Sequence, residues 1–209
     1  SLTTGLPPAV TAATGIDAMV HAIEAFTSKR LKNPLSDMLA REALRLMAGN
    51  IEKATKQGDN LEARSAMLLG AMLAGQAFAN APVAAVHALA YPLGGNYHIP
   101  HGLSNSLVLP HVLRFNAPQA GELYAELAAI ILPHQRLPDD PVAATELLAD
   151  YFLVLAEDLG LQTKLEQMDI AAPDLPLLAE EAMMQQRLLI NNPREVSLED
   201  ALAIYTQAF

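Results

Sequence analysis

Four residues in weakly charged parts of the sequence have the types and the spacing of a metal site. Asp17 and His21 are four residues apart in TGIDAMVHAIEAF, so an α-helix would place both on one face. His87 and His101 flank a turn with glycine and proline in VHALAYPLGGNYHIPHG, which could fold the second histidine back toward the first. One carboxylate and three imidazoles suit Fe(II) or Zn(II) and leave a coordination position open for substrate.

The distribution of charge supports a site at these positions. From Ser65 to Leu113 there is no Asp, Glu, Lys or Arg, yet this stretch holds four of the six histidines: His87, His98, His101 and His111. From Ser1 to Ser28 the only charged side chains are Asp17 and Glu24. A single histidine on an apolar helix is more often a hydrogen-bonded core residue than a ligand. Several such groups together favour a metal, because buried charge is costly unless it is paired or metal-bound.

Composition predicts an all-helical fold. Apolar residues make up 52% of the 209 residues and charged residues 17%, and the abundant alanine and leucine lose little freedom in a helix. Helices are expected near 11–28, 34–58, 60–80, 83–93 and 102–116, with amphipathic segments near 120–132, 141–159, 173–190 and 198–208. Gly94-Gly95-Asn96 should break the helical pattern. Since no stretch alternates as a strand does, we expect one multi-helix array over 1–209.

Charge and cysteine content exclude several kinds of partner and site. The net charge of −10, without a Lys/Arg cluster, argues against nucleic-acid binding. The absence of cysteine leaves only His, Asp or Glu to hold a metal. The most apolar run, 65–81, is interrupted by Gly70, Gly75 and Gln76, which favours a buried helix over a membrane span. The N-terminal SLTTGLPPAV has no signal-peptide features, so a cytoplasmic location is expected.

Two segments, TAATGIDAMVHAIEAF and VHALAYPLGGNYHIPHGLSNSLVLPHVLRFN, resemble the signature regions of the iron-containing (group III) alcohol dehydrogenases. The resemblance continues to the closing NNPREVSLEDALAIYTQAF. It implies the all-helical C-terminal domain of the fold that this family shares with dehydroquinate synthase. It also implies that Asp17, His21, His87 and His101 bind Fe(II), with Zn(II) as the alternative. The implied reaction moves a hydride between NAD(P) and a small alcohol or aldehyde whose oxygen the metal polarises.

Two further residues are candidates for a catalytic part. Many members of the family have a histidine, close to the nicotinamide, where this chain has Tyr91, one turn after His87. Tyr91 could supply a phenol hydrogen bond there, or it could be an aromatic side chain that packs beside a ligand. His98, three residues before His101, is the other candidate for a proton relay, with a solvent-facing loop position as the alternative.

Two more ionisable side chains have less specific expectations. Glu24, one turn beyond His21, either orients the imidazole of His21 or lies on the helix surface, and the surface position is slightly favoured. His111, which follows Pro110 in an apolar helix, is expected to be a core histidine.

The nucleotide-binding part of the resemblance has no counterpart in this sequence. Family members begin with an α/β domain whose glycine-rich turn binds the pyrophosphate of NAD(P). This chain has no Gly-x-Gly-x-x-Gly pattern, and Gly94-Gly95 follows no strand. We therefore expect that the partner of this chain is a nucleotide-binding domain missing from it, and that the chain alone is inactive. We also expect that an exposed apolar face promotes a homo-oligomer.

Several alternatives stay open. A polyol dehydrogenase or a maleylacetate-reductase-like enzyme would share the helical architecture. A helical metal-dependent phosphohydrolase would normally show an adjacent His-Asp pair, which is absent from this sequence. A non-catalytic helical interaction domain would bind no metal and would tolerate loss of His87 and His101.

Overall fold

A computed structural model describes residues 2–209, and helices with their connecting loops make up all of that part of the chain, without a strand. The predicted all-helical class is therefore confirmed. The α-helices are α1 (Pro8–Thr27), α2 (Pro34–Ala48), α3 (Ile51–Lys56), α4 (Leu61–Asn80), α5 (Ala85–Tyr97), α6 (His101–Ile131), α7 (Pro141–Asp158), α8 (Leu175–Met183), α9 (Gln186–Leu189) and α10 (Leu198–Ala208). Two short 3-10 turns, Leu165–Met168 and Ala172–Asp174, precede α8.

Two apolar helices, α1 and α6, form the centre of the array. α1 packs against α2, α3, α4 and α6, and α6 also packs against α5, α7 and α10. Small side chains such as Ala12, Ala22 and Ala25 are fully buried along α1, so neighbouring helices can approach it closely. His111 is buried within α6, and its pKa is lowered to about 4 by burial and by the nearby Arg114. It is a neutral core histidine near pH 7, as predicted.

Several helix boundaries differ from those predicted, and the predicted segment 173–190 is divided into α8 and α9. α5 runs through Gly94-Gly95-Asn96 to Tyr97 instead of ending at Leu93. α6 is one continuous helix, although a break was expected between 116 and 120. Buried residues continue on both sides of Pro118 and much of this part of α6 packs against α7, so tertiary packing outweighs the weakened turn at the proline. The predicted second helix is instead divided at Gly49 and Asn50 into α2 and α3.

The start of α6 lies directly against the backbone of α1 because residue 102 is glycine. A Cβ atom at Gly102 would clash with the carbonyl oxygen of Ala13 and lie 2.7 Å from its carbonyl carbon. Backbone atoms cannot move aside as a flexible side chain can. Gly102 therefore fixes how closely the first turn of α6, including His101, approaches α1.

The membrane prediction concerns the apolar run 65–81, nearly all of which lies in α4. Among residues 2–209, no single helix is both long and apolar enough to cross a membrane. Taken together, the pair Leu61–Asn80 and Ala85–Tyr97 reaches that length and composition, but the two helices meet at a bend of 106°.

The close approach of α6 to α1 at Gly102 predicts opposite effects on stability for two glycine-to-alanine substitutions. Gly102→Ala should lower the free energy of unfolding by about 1–3 kcal/mol, because the added methyl group forces α6 away from α1. Gly75→Ala in α4 is the control, since nothing lies within 4 Å of its added Cβ. It should raise stability by about 0.5–1 kcal/mol through helix propensity alone. Denaturant unfolding measures both changes, and equal effects would contradict the close approach.

Candidate metal centre

The four predicted ligands converge on one point. The carboxylate oxygen Oδ1 of Asp17 lies 3.8 Å from Nε2 of His21, 3.6 Å from Nε2 of His87 and 3.7 Å from Nε2 of His101. One potential ligand atom from each residue lies within 4.8 Å of the others. Two atoms bound to one ion at about 2.0–2.2 Å are at most about 4.4 Å apart. The four donors are therefore close to the separation that a shared ion requires.

Three helices position these side chains. Asp17 and His21 lie one turn apart on α1, His87 lies near the start of α5, and His101 is the first residue of α6. Between α5 and α6 the backbone of His98 is left-handed, with φ 55° and ψ 26°, and Pro100 follows as the N-cap of α6. This turn brings His101 back toward His87, so that their ring centroids are 5.3 Å apart. The predicted fold-back is therefore present.

The site is closed on one side and open on the other. The side chain of His87 is only 3% exposed, whereas that of His101 is 48% exposed. Asp17 and His21 lie between these extremes. The ring of Phe78, on α4, lies 4.5 Å from the ring of His21 and forms an apolar boundary there. A small molecule could therefore reach the donors from the side of His101.

Glu24 fixes the orientation of His87. Its carboxylate is buried, with Oε2 2.7 Å from Nδ1 of His87 and Oε1 accepting a hydrogen bond of 2.7 Å from the backbone N–H of Val86. Because a carboxylate only accepts, Nδ1 of His87 carries the hydrogen, and Nε2 keeps its lone pair for the site. The preferred surface position for Glu24 is wrong, and its partner is His87 instead of His21.

The electrostatic surroundings differ between the histidines. Burial lowers the pKa of His21 despite the opposing charge of Asp17, and the nearby His87 lowers it further. Burial also lowers the pKa of His87, but the charge and hydrogen bond of Glu24, together with Asp17, have the larger combined effect and raise it above its ordinary value. Of these two histidines, His87 would therefore be the one at which a proton competes more strongly with a cation.

Asn105 is a further member of the site that sequence reasoning missed. It is completely buried on α6, one turn after His101. Its amide Nδ2 donates a hydrogen bond of 2.6 Å to Oδ1 of Asp17 and lies 3.3 Å from Nε2 of His87 and 3.2 Å from Nε2 of His101. The four-residue spacing from His101, in a stretch without charged residues, was the available signal.

The two candidate catalytic residues occupy different surroundings. The half-buried ring of Tyr91 lies 6.0 Å from that of His101, on the open side of the site. His98 is exposed at the end of α5, and among residues 2–209 it has no hydrogen bond or ring contact with the four donors. Catalytic roles for both residues remain predictions.

The donor set fits a divalent transition metal. One carboxylate and three imidazoles are ligands that suit iron and zinc, and no thiolate is needed. The hydrogen bond from His87 to Glu24 is the kind of outer contact that orients metal-bound histidines. A family model described as "Fe-containing alcohol dehydrogenase family, C-terminal" matches residues 11–209. The chain belongs to this family.

The similarity to other family members extends over the whole chain but covers only part of theirs. The 1,3-propanediol dehydrogenase of Klebsiella pneumoniae is 39% identical over 205 residues, which are 98% of this chain and 52% of that protein. A crystal structure of 1,3-propanediol oxidoreductase has a TM-score of 0.93 and 38% identity, over 99% of this chain and 53% of that one. The chain thus spans about half the length of these iron-containing alcohol dehydrogenases.

A second solved structure shows the breadth of the family. The sulfoacetaldehyde reductase of Bifidobacterium kashiwanohense, determined in complex with NAD+, has a TM-score of 0.86 and 29% identity. The match covers 99% of this chain and 52% of that structure. The match to the C-terminal family model shows that this chain corresponds to the C-terminal part of proteins in this family.

The contact between Glu24 and His87 predicts that Glu24→Gln reverses the tautomer of His87. The N–H of Val86 requires the oxygen of the new amide, so the NH2 group faces Nδ1 of His87 and must donate to it. Nδ1 then accepts, and the hydrogen moves to Nε2. Imidazole ¹⁵N chemical shifts distinguish the two tautomers. Glu126→Gln, at an exposed partner of Arg41, is the control and should leave the spectrum of His87 unchanged; Nδ1–H retained in Glu24→Gln would show that Glu24 does not set the tautomer.

Proposed function

We propose that residues 1–209 form the metal- and substrate-binding helical domain of an NAD(P)-dependent alcohol dehydrogenase or aldehyde reductase. The observation that carries the proposal is the convergence of Asp17, His21, His87 and His101, whose ligand atoms lie within 4.8 Å of one another. A non-catalytic interaction domain gives no reason to bring a carboxylate and three imidazoles together at a partly buried site, where desolvation is costly.

The four donors would hold Fe(II), or Zn(II) as the alternative. When bound, such an ion would supply Lewis-acid polarisation of an alcohol or carbonyl oxygen. Asp17 contributes the only carboxylate among the four, and its charge offsets part of the charge of a divalent ion. Glu24 contributes indirectly, because its hydrogen bond to Nδ1 keeps Nε2 of His87 available as a donor.

Substrate would enter on the side of His101, which has the most exposed side chain of the four. Tyr91 lies beside His101 on this side, where its hydroxyl could orient a substrate oxygen or exchange a proton with it. The proposed part of His98 is a proton relay toward solvent, since it is exposed at the turn before His101. Closed packing around His87 and Glu24 excludes water from the opposite side.

The hydride carrier would be NAD(P), bound largely by a part of the enzyme outside this chain. Support comes from the sulfoacetaldehyde reductase structure in complex with NAD+ and from the extent of the match, which is about half of each relative. The names of the relatives cover a diol and a sulfonated aldehyde. We therefore propose a small alcohol or aldehyde as the substrate class and expect little turnover by these residues alone. Self-association and a cytoplasmic location remain predictions.

The metal prediction can be tested directly on this chain. Purified without chelator or oxygen and supplied with Fe(II) or Zn(II), it should bind about one ion per chain. Asp17→Ala and His101→Ala should each weaken binding at least about tenfold, because each removes a proposed ligand. His134→Ala, which removes an exposed histidine outside the cluster, is the control and should leave the affinity unchanged. Absence of binding by the folded wild-type chain would refute the proposed metal centre.

The proposed reaction requires a nucleotide-binding part, which a hybrid can supply. The segment of the Klebsiella 1,3-propanediol dehydrogenase that precedes the match can be fused in front of this chain. We expect the hybrid to reduce small aldehydes with NADH or NADPH, as followed by loss of nicotinamide absorbance, and the chain alone to show no turnover. An Asp17→Ala hybrid is the inactive control. A hybrid that binds both metal and nucleotide but reduces no member of an aldehyde panel would contradict the proposal.

A further inference from the structure

The side-chain amide of Asn105 contacts the proposed metal ligands, although Asn105 is not one of them. Its Nδ2 lies within 3.3 Å of donor atoms from three of the four proposed ligands: Asp17, His87 and His101. Each of these three side chains comes from a different helix. Among residues 2–209, no hydrogen bond joins Asn105 to the fourth ligand, His21. The amide therefore covers one face of the donor set, the face formed by the other three ligands.

The opposite end of the same side chain has no partner. Oδ1 of Asn105 is buried and accepts no hydrogen bond within the described part of the chain. An unsatisfied buried oxygen lowers the stability of the fold. Exchange of Oδ1 and Nδ2 by rotation would place the oxygen against the carboxylate of Asp17 and the lone pairs of two imidazoles. The contact with Asp17 therefore fixes the orientation of the amide in spite of this cost.

We propose that Asn105 is a positioning residue of the metal centre, whose NH2 group holds Asp17 by a hydrogen bond and, by its contacts with His87 and His101, keeps the three side chains in the convergent arrangement that binds the ion. This inference rests on the proposed metal-binding function and extends it to a residue outside the ligand set. A group that fixes ligands in advance raises metal affinity, because less order has to be created when the ion binds.

The lengths of its contacts indicate that Asn105 supports metal binding and does not compete with the metal for the ligands. The bond to Asp17, at 2.6 Å, is the shortest and is charge-assisted, whereas the contacts with the two histidines are 0.6–0.7 Å longer. A carboxylate oxygen can accept from an amide while it also serves as a ligand, because it has more than one lone pair. The weak contacts with the imidazoles are the ones that a metal would replace. Asn105 thus keeps its strongest contact in either case.

Asn105→Leu tests this role, because leucine has a similar size, removes the unpaired Oδ1 and cannot donate to Asp17. We expect it to weaken Zn(II) binding about 10–100-fold, as measured by titration against a competing chelator. Thermal unfolding of both proteins without added metal shows whether the variant is folded. Asn105→Ser, whose hydroxyl is too short to span the same contacts, gives a second measurement if the leucine variant does not fold.

Asn116→Leu is the matched control for a buried asparagine on the same helix. Asn116 donates to Tyr124 and Asn192 and lies outside the metal centre. Its replacement should lower the unfolding temperature while leaving Zn(II) affinity unchanged. Unchanged or tighter Zn(II) binding by Asn105→Leu and Asn105→Ser, with normal binding by wild type, would overturn the role of Asn105 alone. A folded wild-type chain that binds no Zn(II) or Fe(II) would overturn the proposed function and this inference together.

Discussion

The rest of the structure depends on the electrostatic cost of bringing one carboxylate and three imidazole lone pairs to a common point. In an apolar interior these acceptors repel one another unless hydrogen bonds or a cation lie between them. Asn105 donates a hydrogen bond to Asp17 and places the same NH2 group against the Nε2 atoms of His87 and His101, and Glu24 accepts a hydrogen bond from Nδ1 of His87 on the far side of its ring. The two residues thus arrange the lone pairs toward a single centre. Such an arrangement serves a cation and has little use in an inert core.

The helical array satisfies the geometric demands of this convergence. The one-turn spacing on α1 supplies Asp17 and His21, but the remaining donors depend on how α5 and α6 pack. Gly102 lets α6 approach the backbone of α1, which sets the position of the adjacent His101. The left-handed residue His98 ends α5 and redirects the chain into α6. Histidine is among the residues more often found in that conformation, so His98 has a structural reason for its position whatever part it has in proton transfer.

The sequence predicted the four proposed ligands, because they are marked by local spacing and by uncharged stretches. Asp17 and His21 follow from the helical period, and His87 and His101 stood out because they interrupt a long apolar stretch. The partner of Glu24 could not be obtained in this way, because it lies on another helix, 63 residues away along the chain. The continuation of α6 through Pro118 likewise depends on packing against α7, which local propensity does not contain. Asn105 was missed because its spacing one turn after His101 is a weak signal without the contacts that the fold supplies.

The unequal burial of the four donors suggests how metal binding and chemistry could be divided within the site. His87 has a fixed partner, Glu24, at Nδ1 and almost no exposure, so it is suited to hold an ion in one place through Nε2. His101, half exposed and next to Tyr91, faces the side from which a substrate can come. A centre built in this way can keep its geometry through the buried donors while its open side varies. Such a division is compatible with the different substrates for which relatives are named, a diol and a sulfonated aldehyde.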